Sequence, residues 1–201
     1  VVRVSWQGRA NMDNLRKAVD APWLQALRGS ADWKAAINLR KRLADVVFDS
    51  TLQGIASDLP PPLAKAAAES LPLKIERRYT GARQDYLAFS IGNIVSAQLQ
   101  RRRDGDRIVI DRGSVSFGAA APSPERNGIW VNGSIKSLDV DQWLAMLPAG
   151  SGATVMDLAG IDLKIESMDV FGRLFSEFAL HGSQQGGSWQ ASIGGHELNG
   201  D

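Results

Sequence analysis

The chain has 201 residues, 44% of them hydrophobic and 22% charged, which suits one large domain or two small ones with ample material for a core. A net charge of +1 provides no global field for nucleic acid, and the absence of cysteine excludes disulfides, thiolate metal sites and cysteine nucleophiles. No apolar run reaches the ~20 residues needed to cross a bilayer.

The chain opens on the strand-like "VVRVSW". Residues 11–28 then read as two short helices, the second capped by Asp20 with Pro22 in its first turn and Trp23, Leu24 and Leu27 apolar. From there the pattern alternates with period two. Trp33, Ala35, Ile37 and Leu39 share one face, against Lys34, Asn38 and Arg40. Leu73, Ile75 and Tyr79 oppose Lys74, Glu76 and Arg78. Ile129, Val131 and Ile135 oppose Asn132, Ser134 and Lys136, with Trp130 on that second face. Ile161, Leu163 and Ile165 oppose Asp162, Lys164 and Glu166, and Trp189, Ala191 and Ile193 oppose Ser188, Gln190 and Ser192. Such alternation predicts antiparallel strands with one apolar and one wet face. Further strands are expected near 2–7, 43–52, 85–91, 94–101, 107–117 and 172–181.

Turn chemistry agrees. Asp104-Gly105 marks a hairpin, and Gly81, Gly92-Asn93, Asn127-Gly128 and Gly186-Gly187 punctuate other strands. Within "LDVDQWLAMLP", Val140, Trp143, Leu144 and Leu147 fall at helical spacing, with Asp139 as cap, Gln142 completing a capping box and Pro148 as stop. Residues 62–70 suggest one more short helical turn. The fold class is α+β, mainly β: long curved antiparallel sheet with two or three short helices. The expected organisation is a strand and helical lead-in at 1–30, a β-sheet with a proline-rich crossing and a tryptophan-bearing helix at 31–147, and a further β repeat at 148–201.

Chemistry-bearing groups are sparse. The pairs Asp139/Asp141 and Asp104/Asp106 sit at a helix cap and a hairpin turn, which accounts for them without acid–base work. His181 and His196 are the only histidines, and they lie near strand ends or Gly-rich turns. No G-x-S-x-G elbow is present, and "GSGATVMDLAG" (150–160) fails both phosphate-loop and dinucleotide patterns, reading instead as a connection. Arg101, Arg102, Arg103 and Arg107 form the dense basic cluster. It could meet phosphate head groups or nucleic acid. A solvated hairpin tip, offset by Asp104 and Asp106, is the simpler reading. Trp33, Trp143 and Trp189 fall on apolar faces, which favours packing over base stacking. No catalytic residue, metal ligand or cofactor site is expected. The large apolar strand surface is either closed core or an open groove, and periodicity does not separate the two.

One stretch stands apart. "FDSTLQGIASDLPPPLAKAAAESLPL" takes the chain from a strand through three consecutive prolines and an Ala-rich run to the next strand. Proline removes a ladder donor and biases the residue before it to extended geometry, so "DLPPPL" is expected to run as a stiff polyproline-like crossing over the sheet edge or end.

This stretch resembles a characteristic segment of the YhdP family, the large AsmA-like envelope proteins related to TamB. Ser50, Thr51, Leu52, Gly54, Leu59, Pro60, Pro62 and Lys65 stand at the family's positions, and so do Gly128, Gly133, Leu138, Asp139 and Trp143 further on. "DRGSVSFG" (111–118), "FGRLFSEFAL" (171–180) and Trp189 continue the likeness, which is weaker over 1–30. The resemblance implies an internal periplasmic segment of a protein held in the inner membrane by an N-terminal helix, outside this sequence. It also implies a repeating β-groove architecture, neighbouring repeats of the same chain as partners, and a part in moving phospholipid to the outer membrane in support of the permeability barrier. The family carries no catalytic residues onto this chain. Acyl chains are the expected ligand and nucleic acid is not. Trp33, Ile37, Leu39, Leu73, Ile75, Ile129, Val131, Ile161, Leu163 and Ile165 are the candidates to face lipid or core. The alternative is a non-catalytic structural or protein-interaction module of the cell envelope, binding at the helix of 139–147.

Overall fold

The computed structural model describes residues 2–40, 43–146, 158–186, 188–195 and 199–200. Strands dominate: β1 (Val2–Asn11), β2 (Leu27–Arg40), β3 (Leu43–Ser50), β4 (Ile55–Ser57), β5 (Leu73–Gly81), β6 (Gln84–Ile91), β7 (Val95–Asp104), β8 (Arg107–Phe117), β9 (Gly128–Asp139), β10 (Leu158–Val170), β11 (Arg173–Gln185), β12 (Ser188–Gly194) and β13 (Asn199–Gly200). Twelve of them lie side by side in chain order, and β4 pairs only with the start of β2. The sheet is open: β1 and β13 lie at opposite edges, and it is not strongly curled.

Most neighbours are antiparallel, as the turn signals predict. The β7–β8 hairpin closes on the Asp104–Arg107 pair, around Gly105 and Asp106. The expectation of a wholly antiparallel sheet fails at β9, which runs parallel to both β8 and β10. Residues 118–127 carry the chain back over β7 and β8 before β9 begins. The Ser96 hydroxyl donates to Ala119 O (2.9 Å) and accepts from Ala121 N (2.7 Å), and Gln98 Nε2 donates to Ala121 O (2.7 Å). A loop pinned across the polar face returns the chain to its starting end, so the next strand must be parallel. The β9–β10 connection begins with the second helix. Most of the Gly-rich stretch at 150–160, its residues 150–157, lies outside the described residues, whereas Leu158–Gly160 open β10.

Among the described residues there are two helices and one 3-10 turn. Helix α1 (Met12–Ala18) is capped by Asn11, whose Oδ1 accepts from Asp13 N and Asn14 N. Pro22–Ala26 is a 3-10 turn with Pro22 at its start. Its cap position is Ala21, so Asp20 does not serve as expected. Leu24, not the exposed Trp23, is its buried residue. Helix α2 (Val140–Ala145) is capped by Asp139, whose carboxylate accepts from Gln142 N (2.9 Å) and from the Gln142 side chain. No helix forms at 62–70; Lys65 instead pairs through its backbone with Ser57.

The burial is concentrated in two places. Met12, Ala31 and Ile55 form one cluster, with Ala10, Leu15, Leu27 and Leu52 against it. Ile135, Leu163, Ile165 and Met168 form the other, with Phe117, Val131, Val140 and Phe178 against it. The close neighbour of the second cluster is Gly133, at φ +119°. A methyl group placed there would stand 2.1 Å from Phe117 O across the parallel β8–β9 pair. Gly133→Ala is therefore expected to lower stability by about 2 kcal/mol, read from the urea unfolding midpoint.

Candidate functional site

Register carries the alternation of single strands across the whole sheet, because paired residues project to the same side. One transverse row runs Trp6, Ala35, Phe48, Ile75, Phe89, Ala97, Val115, Val131, Ile161, Gly182, Ala191. The next runs Gly8, Trp33, Ser50, Leu73, Ile91, Val95, Phe117, Gly133, Leu163, Leu180, Ile193. On the other side of the first row lie Val4, Ile37, Val46, Arg77, Leu87, Leu99, Gly113 and Ile129. Leu39 and Ile165 occupy the flanking rows. The ten candidates thus share one face. Ile129, Leu163 and Ile165 are buried there, Leu39 is 43% exposed, and the rest are half-buried.

Among the described residues no second sheet covers this face; the short helices α1 and α2 pack against parts of it. Strands pack substantially only on their hydrogen-bonded neighbours, and Val4, Trp6 and Leu39 remain open to solvent. Side-by-side packing does the shielding: Trp33 stacks on Phe48 at 5.8 Å between centroids and lies over Gly8.

One border of the face is built by the proline-rich excursion. It leaves β3 and returns to β5 at a neck closed by Leu71 N donating to Thr51 O (2.8 Å). The Ser50 hydroxyl donates to Asp32 O (2.7 Å) and accepts from Leu52 N (3.1 Å). Gly54, at φ +97°, lies where a methyl would be 2.3 Å from Ser30 O, so only glycine fits. Leu59 and Pro60 are buried. The expected stiff polyproline crossing is not found. Residues 60–63 fold into a tight turn around a cis Pro61–Pro62 bond, closed by Leu63 N donating to Pro60 O (3.0 Å). Burial of Pro60 and the bond from the Ser57 hydroxyl to Leu63 O (2.7 Å) draw the chain inward, where an extended run would leave it solvated.

Two side chains tie this excursion down. The Lys65 ammonium donates to Leu52 O (3.0 Å), Ala66 O (3.1 Å) and Ile55 O. Its pKa is lowered, chiefly by burial, with Glu69 acting in the opposite direction. Trp143 Nε1, on α2, donates to Pro61 O (2.9 Å) across 82 residues of sequence. The motif segment at 49–73 and the helix-bearing one at 138–146 therefore meet; Leu147 and Pro148 lie outside the described residues. Asp139 serves as helix cap, and Asp141 accepts from Gly172 N at the β10–β11 turn (3.3 Å).

The opposite border is polar, and the sequence reading missed its key member. Arg77 alternates with Leu73 and Ile75, a position on the apolar face that periodicity already implies. Its Nε donates to Asp85 (2.7 Å), and Arg101 donates to the same carboxylate through Nε (2.8 Å) and Nη2 (3.1 Å). The Asp85 side chain is only 10% exposed. Burial alone raises its pKa; hydrogen bonds from Arg101 and Arg77, with their charges, outweigh this and hold it below the ordinary value. Arg77 also stacks over the Tyr79 ring at 4.6 Å. Arg102 points to the other partners, Asp111 (2.7 Å) and Asp104 (3.4 Å), so the basic cluster divides between two faces.

Among the described residues no cluster of chemistry-bearing side chains assembles around His181. His181 Nδ1 faces Asp162 (2.8 Å), its cross-strand neighbour, away from the Asp139 cap; His196 lies outside the described residues. Among the described residues no three His, Cys, Asp or Glu side chains could hold one metal ion, and no helix is long and apolar enough to cross a membrane.

These features define a protein organised around one open, mostly antiparallel sheet, with an apolar face bordered by a tied loop-and-helix belt and by an arginine rim. The chain belongs to the YhdP family: the family model described as YhdP protein matches residues 1–201. No curated protein and no solved structure matches it.

Two outcomes follow from the borders. Lys65→Met strips three carbonyls of their donor and is expected to cost about 2 kcal/mol in urea unfolding, with early hydrogen exchange at 52–57. Asp85→Asn leaves two arginines without their counter-charge and is expected to cost about 3 kcal/mol at pH 7. Because the folded-state pKa is depressed, the Asp85 contribution is full above the unfolded value of about 3.9 and is lost as pH falls through the lower folded value. The difference in unfolding midpoint between Asp85→Asn and the parent chain should accordingly shrink below about pH 4.

Proposed function

We propose that this chain is a segment of a bridge-like phospholipid transport protein of the cell envelope, acting between inner and outer membranes in support of the outer-membrane permeability barrier. It sits in the periplasm, in a parent protein anchored in the inner membrane. One observation carries the reading: a transverse row of apolar residues crosses the sheet from Trp6 to Ala191, on a face that no second sheet covers among the described residues. Membership of the YhdP family supports it. Burial of each methylene is worth ~0.8 kcal/mol, so an acyl chain lying along the strands is held without any chemistry. Rows that continue from strand to strand let it pass sideways without meeting a barrier.

A second reading, a non-catalytic interaction module at α2, draws on the exposure of Leu144 there and of Phe171 and Leu174 at the neighbouring β10–β11 turn.

Native mass spectrometry of the chain, purified without detergent from cells that make phospholipid, separates the two. The transport reading expects bound phospholipid, and its loss in Ile75→Asp with the unfolding midpoint retained. Ile75 is the position to charge because it lies half-buried in the middle row, whereas Leu163 belongs to a buried cluster where a carboxylate would unfold the protein. A lipid-free parent chain, or lipid retained by Ile75→Asp, would leave the interaction module as the better account.

A further inference from the structure

The arginine rim has a feature that an ion-paired structural cluster does not need. Beside the Arg77–Asp85–Arg101 triad, a hollow of about 160 Å³ opens at the ends of β5–β8, and it is also lined by Arg83, Arg103 and Ile108. Arg101 and Arg103 alternate onto the apolar face, paired with Ile110 and Ile108. Arg83 is brought in at the β5–β6 turn, whose carbonyl accepts from Arg103 N (2.8 Å). Within the triad two guanidinium groups face one carboxylate, so one positive charge is left over. The Arg83 and Arg103 guanidinium groups are exposed and make no ion pair or hydrogen bond among the described residues.

We propose that this hollow binds the phosphate of a phospholipid head group, with Arg83 and Arg103 as its ligands and the triad as a fixed positive floor. The proposal rests on the acyl-chain reading of the apolar face. Two physical features favour a lipid phosphate as the occupant. The first is charge complementarity: guanidinium forks match phosphate oxygens, and both forks are uncommitted. The second is what lies below. Along β6 the face runs from Asp85 through Leu87 and Phe89 to Ile91, a lane of roughly 20 Å at strand rise. An acyl chain spans about 15 Å, half of a bilayer's hydrocarbon core. A head group at the arginines thus leaves its chain on the Leu87–Ile91 lane, pointing to the border that Trp143 and the proline turn close. Lipid would travel across the strands with its phosphate on the rim.

The test measures dissociation constants of three probes with the 201-residue chain: lysophosphatidylglycerol with a myristoyl chain, monomyristin with the same chain and no phosphate, and inorganic phosphate. The expected result is that the lysophospholipid binds about tenfold more tightly than monomyristin. Arg83→Gln/Arg103→Gln should erase that difference and leave monomyristin binding intact, while Ile75→Asp should weaken both. Equal affinities for the two lipids, or a difference that survives in the double variant, would overturn the head-group site while leaving the apolar lane standing. Inorganic phosphate binding as tightly as the lysophospholipid would overturn it in favour of a free-anion site. Failure of both lipids to bind would remove the acyl-chain reading as well. Both arginines are solvent-exposed, so the double variant should keep the parent unfolding midpoint, which is measured alongside.

Discussion

Cross-strand register without a backing layer is the constraint on which everything else depends. In a sandwich or barrel, side chains of a second surface fix which residues face inward. Here hydrogen-bonded neighbours alone place eleven residues from β1 to β12 in one row, from Trp6 to Ala191. A slip by one residue at any pair would turn all later apolar side chains to the polar side. The sheet resists slippage through local devices at its pairs. The loop at 118–127 is bonded to β7 by side chains on the polar face, and Gly133 lets β8 and β9 approach at a point where any other residue would collide with Phe117 O. Trp130, on that polar face, lies under Arg126 at 3.5 Å and fills the space above Gly160.

The two borders of the apolar face solve different problems. At the end where β3 stops and β5 begins, backbone groups of a 22-residue excursion must be satisfied while its apolar residues are buried. Lys65 meets three carbonyls at once, and the two backbone bonds between Lys65 and Ser57 make the loop into a small sheet of its own with β4 and β2. The belt is then fastened to distant sequence by the Trp143 indole. At the other end of β5, β6 and β7 the last inward side chains include Arg77, Asp85, Arg101 and Arg103, with Ile108 and Ile110 of β8 beside them. The same alternation that produces an apolar lane ends it with arginines.

Much of this was legible in the sequence. Strand alternation at 33–39, 73–79, 129–136 and 161–166 placed the apolar residues of each strand on one face, as the pairing does, since a period of two needs no tertiary information. The capping box at Asp139 and Gln142 was legible for the same reason. What was not legible depends on distant partners. Strand direction at β9 is decided by a loop crossing another strand, and a single strand's periodicity is identical in parallel and antiparallel pairing. The proline stretch curls because Pro60 finds a buried place and Trp143 a carbonyl, whereas local preference favours extension. β4 is three residues long, too short to show a period. Arg77 was overlooked for a different reason. Its position on the apolar face follows from the alternation, yet an arginine among Leu73, Ile75 and Tyr79 reads as an exception until Asp85 and Arg101 are beside it.

That triad also gives the face a direction. A lone arginine on an apolar surface would extend its head into water along its own stem. With Asp85 between them, Arg77 and Arg101 are held in place, because leaving would strand a carboxylate that is 10% exposed. The positive rim is therefore held by ion pairs where it meets the apolar rows, and the exposed guanidinium groups of Arg83 and Arg103 lie outside it. A surface that is apolar throughout would accept an amphiphile in any orientation. One that ends in fixed positive charge on one border and in a tied, neutral belt on the other would, on the proposed reading, favour an anionic amphiphile in one orientation, head to the arginines and tail to the prolines. Orientation set in this way at the ends of strands would leave the rows between them free of charged contacts, which is what the proposed sideways movement requires.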